Sequence, residues 1–374
     1  MKSSLIMFIC FLISFTLFGD VAKSNSNPTS SNIQLAILLD TSNSMDGLID
    51  QAKTQLWKIV NEMSRSKCNG KKTNLSVALY EYGNDGLSSM EGYVRLITPF
   101  TNDLDKISEE LFNLKTNGGS EYCGTVISEA LRDLKWNKDD NNYKVIFIAG
   151  NEPFDQGEKD YKDACKSARN KDIIVNTIFC GNYNEGIQTF WKNGAELGDG
   201  KYLNIDSDCH IAHITTPYDD RLVELGQKLN STYIAYGYEG ETLKQRQSTQ
   251  DDNASNLSPS VMVERSITKG SGQYKNESWD LVDAEKEGVD IVDIPKDQLP
   301  KEMQNMTKEE QKEYVDQKAN EREKIQKEIN ELDQQRRDFI AKQQKENIQD
   351  NTLDAAMLKL IKEQASKKNF EFER

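Results

Sequence analysis

The sequence predicts an α/β fold: a doubly wound, mostly parallel sheet followed by a long C-terminal helical extension. Three observations predict it. Residues 33–40 (IQLAILLD) are a near-continuous apolar run ending in a carboxylate, the pattern of a central strand buried on both faces. Comparable runs recur at 74–82, 144–149 and 172–180, separated by segments of helical period, so the strands should lie parallel with helices on both faces. From about residue 304 the chain turns highly charged and keeps a helical period.

The elements follow in order. Residues 48–63 place Ile49, Ala52, Leu56, Ile59 and Val60 on one helical face. Residues 74–82 (NLSVALYEY) alternate as a strand, and 93–99 (YVRLITP) form a further strand at an edge. Leu104, Ile107, Leu111 and Leu114 are in helical register over 102–114, and 123–134 is helical again. A helix over 159–170 leads into the strand 172–180. A helix over 186–197 turns Phe190 and Trp191 to the core, a short strand occupies 201–205, and a helix over 216–229 closes the domain. The domain is expected over 33–231, after a polar linker at 24–32. Residues 232–303 are expected to be an irregular linker or docking segment, because 237–258 is polar without periodicity.

The tail, 304–374, opens on a capping-box pattern, Thr307-Lys308-Glu309-Glu310. Ile325, Ile329, Leu332 and Phe339 fall at coiled-coil spacing, but Arg336 interrupts that seam, and Lys318 and Arg322 occupy its preceding positions. The helix to about residue 347 would be roughly 60 Å long. It either packs on its own domain or associates with itself or a partner through residues 307–347. A second helix is expected over 353–364.

Composition narrows the function. The chain has 374 residues, 36% hydrophobic and 29% charged, with a net charge of −14. That charge argues against a nucleic-acid partner, which demands clustered Lys and Arg. Residues 1–23 read as a signal peptide: Lys2 supplies the charge, residues 5–18 are almost wholly apolar, and Gly19 and Ala22 are small residues near a cleavage point. The run is short for a membrane span, and no other run approaches one. Export to a periplasm, the cell surface or beyond is the expectation.

The functional signal lies where the first strand ends. Asp40, Ser42 and Ser44 form D-x-S-x-S in the loop after that strand, and all three offer the oxygen donors a hard divalent cation takes. In an open α/β sheet, ligands bind outside the carboxyl ends of the strands. In this strand-to-helix setting the motif resembles the metal-ion-dependent adhesion site of von Willebrand factor type A domains, and the segment 275–288 (KNESWDLVDAEKEG) with the charged helix after it resembles the C-terminal parts of bacterial proteins of that kind. The resemblance implies a doubly wound fold over 31–231 and a site built from three loops. The two serines would bind the ion and Asp40 would orient waters around it. The second loop's threonine position falls on Glu121, with Ser120 the alternative if the loop is one residue shorter, and Thr125 a more remote one. The third loop's aspartate is replaced by Gly150, leaving Asn151 and Glu152 as its nearest substitutes. One carboxylate is lost at Gly150 and one gained at Glu121, so the resemblance implies a rearranged site for Mg²⁺, or Mn²⁺ or Ca²⁺, with Glu121 as a ligand. Otherwise the site no longer binds metal.

Of the six cysteines, Cys10 lies in the leader, and the other five cannot all pair internally. The resemblance places Cys123 and Cys180 at the ligand face, where either a disulfide or two buried thiols would fit. Cys209-His210-x-x-His213 holds both histidines but lacks a fourth metal ligand nearby. No P-loop, nucleophile elbow or strand-linked G-x-G-x-x-G is present. An enzyme is therefore not expected. The first functional expectation is an exported module that binds a protein ligand through its cation. The second is a cell-envelope assembly factor acting through its tail, with a vestigial metal site.

Overall fold

The computed structural model describes residues 32–139, 141–205, 214–346 and 353–372. The expected leader, the linker before Asn32 and the Cys209–His210–His213 cluster lie outside them.

Strand β1 (Asn32–Asp40) leads through a short turn into helix α1 (Asp46–Ser64). Then come β2 (Ser66–Cys68), β3 (Lys71–Lys72), β4 (Asn74–Tyr82), β5 (Val94–Thr101), α2 (Leu104–Asn113), α3 (Cys123–Asp133) and β6 (Tyr143–Gly150). Helix α4 (Tyr161–Asn170), β7 (Ile174–Cys180), α5 (Tyr183–Gln188), α6 (Trp191–Leu197), β8 (Tyr202–Ile205) and α7 (Asp219–Asn230) complete the α/β part. The chain continues as α8 (Gly240–Leu257), α9 (Pro259–Gly270), α10 (Leu281–Lys286), α11 (Lys308–Glu346), α12 (Leu353–Ser366) and β9 (Phe370–Phe372).

The main sheet runs β5-β4-β1-β6-β7-β8. Only β5 is antiparallel, and it forms an edge as its sequence suggested. β1 is central, pairing with β4 on one side and β6 on the other. Its alternate residues therefore enter two cores. Leu35 and Leu39 pack toward Trp57 and Val60 of α1, while Ala36 and Leu38 pack toward Val126 and Ile127 of α3.

After residue 231 the two tail helices fall where expected, and 232–303 docks on the domain, but it is not irregular. The segment expected to be irregular is largely helical: α8 and α9 pack on each other, and α9 lies against α1 and α7. Periodicity was invisible there because buried polar residues stand where apolar ones would. Arg265, fully buried, donates to Asp251 at 2.6 Å and Asp105 at 2.8 Å and lies 4.8 Å from the Trp57 ring. Lys269, also fully buried, donates to Asp251 at 2.7 Å and to Gly226 O at 2.9 Å. Each buried charge thus has partners, as burial requires.

Burial alone would raise the Asp251 pKa, but the charges of Arg265 and Lys269 and hydrogen bonds from Lys269 and Asn230 hold it at about 2. A depressed carboxylate contributes stability above its unfolded pKa and loses it as pH falls through the folded value. We expect Asp251→Asn to be less stable than wild type at neutral pH, with the gap shrinking by about 2 kcal/mol between pH 4 and 2. Urea unfolding across that range measures it, and a gap independent of pH would refute the assignment.

Helix α11 docks on its own domain, against α7 and α9. Its seam is intramolecular: Ile329 is fully buried against Gly270, and Arg336 donates to Asp219 and Glu264 at 3.0 Å each. The arginine that seemed to break a coiled-coil seam is an ion-pair anchor. Arg322 does the same for segment 275–288, donating to Asp280 at 2.6 Å, Asp283 at 2.9 Å and Thr232 O at 2.7 Å. Asp280 Oδ1 also accepts the Ile234 N–H at 2.7 Å. At the far end β9 pairs antiparallel with β2, so a three-stranded sheet β3-β2-β9 ties the end of the tail to the turn after α1.

Candidate metal centre

Asp40 is the last residue of the central strand and is fully buried. Its Oδ1 accepts the Ser42 N–H at 2.8 Å, which turns the chain sharply toward α1. The first loop is laced to the second by main-chain bonds: Asn43 N–H to Gly118 O at 3.0 Å and Asn117 N–H to Thr41 O at 3.0 Å. The lacing brings Glu121, only 2% exposed, to the carboxyl end of β1. Its carboxylate accepts the Glu152 N–H at 3.2 Å and so bridges from the second loop to the third.

Asp40 and Glu121 are in hydrogen-bonding contact, and the Ser42 side chain bonds to both. Asp40 Oδ2 is buried with no donor among the described residues. Burial, and then the Glu121 carboxyl beside it, push the Asp40 pKa well up. Burial likewise raises Glu121, against the hydrogen bonds it accepts. Two dry carboxylates in contact do not both ionise unless a cation lies between them; without one they share a proton.

Glycine makes the room. Gly83 has φ +78°, and a Cβ there would stand 2.6 Å from Asp40 Oδ1 and 2.8 Å from Glu121 Cγ. A Cβ on Gly150 would stand 2.5 Å from the Tyr82 hydroxyl and 3.2 Å from Asp40 Cβ. The hydroxyl, donating to Ala149 O at 2.9 Å, fills the space through which a third-loop aspartate would enter. Tyr82 was missed from the sequence. The signal was its place as the last residue of the neighbouring strand, in register with Asp40.

The structure thus joins Asp40, Ser42 and Glu121. Ser120 sits half-buried in the second loop, and Thr125 turns toward Gly92 instead. The exposed Glu152 side chain accepts from Gln156 Nε2 at 3.1 Å, and only its main chain joins the site. The side chain of Ser44 lies outside what is described. Cys123 and Cys180 are buried free thiols rather than a disulfide, and burial raises both pKa values. Among the described residues, no three His, Cys, Asp or Glu side chains converge as a metal site. The described donor set is two carboxylates and the Ser42 hydroxyl, all hard oxygens, with an orphaned buried carboxylate oxygen among them. It fits Mg²⁺, Mn²⁺ or Ca²⁺ better than soft metals.

A six-stranded, mostly parallel α/β sheet with buried carboxylates and a serine at the carboxyl end of its central strand is the fold of a type A domain, a class of protein-interaction module that often carries a divalent ion. Residues 34–192 match the family model of the von Willebrand factor type A domain, and the chain contains such a domain. No curated protein matches the chain. Among solved structures, it resembles the conserved hypothetical protein BatB from Bacteroides thetaiotaomicron, at 15% identity and TM-score 0.36, covering 59% of this chain and 99% of that one. It also resembles the SpRpn10 VWA domain, at 16% identity and TM-score 0.36, covering 47% and 89%. A third is proximal thread matrix protein 1 from the mussel byssus, whose structure has a zinc-occupied MIDAS motif, at 12% identity and TM-score 0.35, covering 48% and 43%.

Proposed function

We propose that the protein is an exported type A module of bacterial origin that binds a protein ligand through a divalent cation held by Asp40, Ser42, Ser44 and Glu121. The observation that carries this reading is the buried contact between the Asp40 and Glu121 carboxyls, with Asp40 Oδ2 lacking a donor among the described residues. A cation there cancels the repulsion and satisfies that oxygen. Held mainly from one side, it would keep a position open for a carboxylate of the partner. Export rests on the leader-like residues 1–23, and among the described residues no helix is long and apolar enough to cross a membrane. The alternative is an envelope assembly factor acting through its helical tail, which would have to bind through the face of α11 turned away from α7 and α9.

Calorimetric titration of the mature protein with Mg²⁺ and Mn²⁺ tests the reading. Saturable binding is expected, weakened at least about tenfold by Glu121→Ala, with the ion also raising the melting temperature of wild type more than that of the variant. Binding absent from wild type, or untouched by Glu121→Ala, would remove Glu121 from the site.

A further inference from the structure

Beside the metal loops a separate groove of about 700 Å³ runs along the sheet edge, between β5, α3 and the loop around Lys159. Its floor holds Tyr80, 1% exposed, whose hydroxyl is buried and has no hydrogen-bond partner among the described residues. An unsatisfied buried hydroxyl is costly unless something supplies its partner. Tyr93 and Tyr122, packed edge to face at 5.8 Å, stand at the mouth.

Two properties define what the groove accepts. The first is an unpaired strand edge. Gly83 N–H bonds to Tyr93 O, and the pairs Tyr82↔Val94 and Tyr80↔Leu96 then follow in register. Main-chain groups of Val94 and Leu96 therefore face away from β4. Among the described residues no strand pairs with that outer edge. A bulge between Leu96 and Thr98 and then Pro99, which has no N–H, interrupt the strand beyond Leu96, and Val94 is 7% exposed, so the pairing edge is the short stretch at Val94 and Leu96. The second property is charge. The cations lining the groove are all engaged: Arg95 with Glu81, Arg132 with Glu129 and Asp133, and Lys159 with Glu129. Glu91 and Glu158 line the groove, are exposed, and make no ion pair among the described residues. The charge left for a ligand is negative.

We propose that this groove takes an extended, lysine- or arginine-bearing segment of a partner protein, added as a strand to the outer edge of β5. Main-chain bonds to Val94 and Leu96 give affinity for any extended chain, and Glu91 and Glu158 select basic side chains. The site works without the ion at Asp40, so a partner carrying both a carboxylate and a basic strand would be held at two points.

The test uses the mature chain with a chelator present, so that failure of the metal site leaves it untouched. The probe is an octapeptide alternating threonine and lysine, compared by calorimetry with one alternating threonine and glutamate. Saturable binding of the basic peptide is expected, absent for the acidic one, lost on N-methylation of the peptide backbone, and weakened about fivefold in Glu91→Gln/Glu158→Gln. Both positions are exposed, so the melting temperature of that variant should equal wild type. The proposal is overturned if neither peptide binds at millimolar concentration, if both bind alike, or if the N-methylated peptide or the variant binds as well as the reference. Sedimentation showing a dimer closed through β5 would also overturn it, by giving the edge to a second copy.

Discussion

Arg322→Met is expected to cost about 3–5 kcal/mol of unfolding free energy, among the largest losses available to a single substitution in this chain. The guanidinium is 1% exposed, stacks 4.5 Å from the Tyr233 ring, and serves Asp280, Asp283 and two groups of Thr232 at once. Asp280 has no exposure at all, and without Arg322 its charge would be stranded. Desolvation already pushes the Asp280 pKa up, and Arg322 opposes that rise. Methionine fills similar volume, so the loss would report charge rather than a cavity. Urea unfolding followed by tryptophan fluorescence measures it. Arg322→Met/Asp280→Leu should recover much of the loss, because removing both partners leaves no unpaired charge. A single variant within about 1 kcal/mol of wild type would show that the pair does not hold the tail.

Restoring the usual third-loop aspartate should also be severe. Gly150→Asp places a Cβ 2.5 Å from the Tyr82 hydroxyl and adds a third carboxylate beside Asp40 and Glu121. Overlap and like charge together should destabilise the ion-free protein by about 3 kcal/mol or more. Tyr82→Phe in the same chain should relieve the overlap but not the repulsion, and millimolar Mn²⁺ should relieve the repulsion but not the overlap. Thermal melts of the single and double variants, with and without ion, separate the two. If Gly150→Asp melted like wild type without ion, the Tyr82 hydroxyl would not be what excludes an aspartate there.

The α/β half was legible because its strands are runs of apolar residues with nothing polar to disguise them. Residues 33–40 could be only a central strand, and the edge position of β5 was visible in its proline. Asp40 and Ser42 were legible because local spacing fixes them to one turn. Glu121 could be placed only by counting from a glycine pair, and the role of Tyr82 depended on cross-strand register, which a single sequence does not display. In the C-terminal half the two tail helices were legible from their capping box and period, while 232–303 was misread as irregular and the role of the tail's arginines was not seen, for one physical cause. Arg265, Lys269, Arg322 and Arg336 look like solvent-facing residues in a list of letters, yet each is buried beside carboxylates from distant segments. Hydrophobic periodicity cannot see a core made of ion pairs.

The pairing of β9 with β2 has a kinetic consequence. Cys68 Sγ approaches Lys368 O across 300 residues of sequence, and Lys368 also grips Asp172 at 2.7 Å. Contacts so remote along the chain close late, since the entropy of the intervening loop is lost before they form. The α/β sheet can therefore assemble first, leaving the short β2–β3 hairpin without its third strand until the tail arrives. The last element to lock is then a sensor of whether everything between it and residue 68 has already folded.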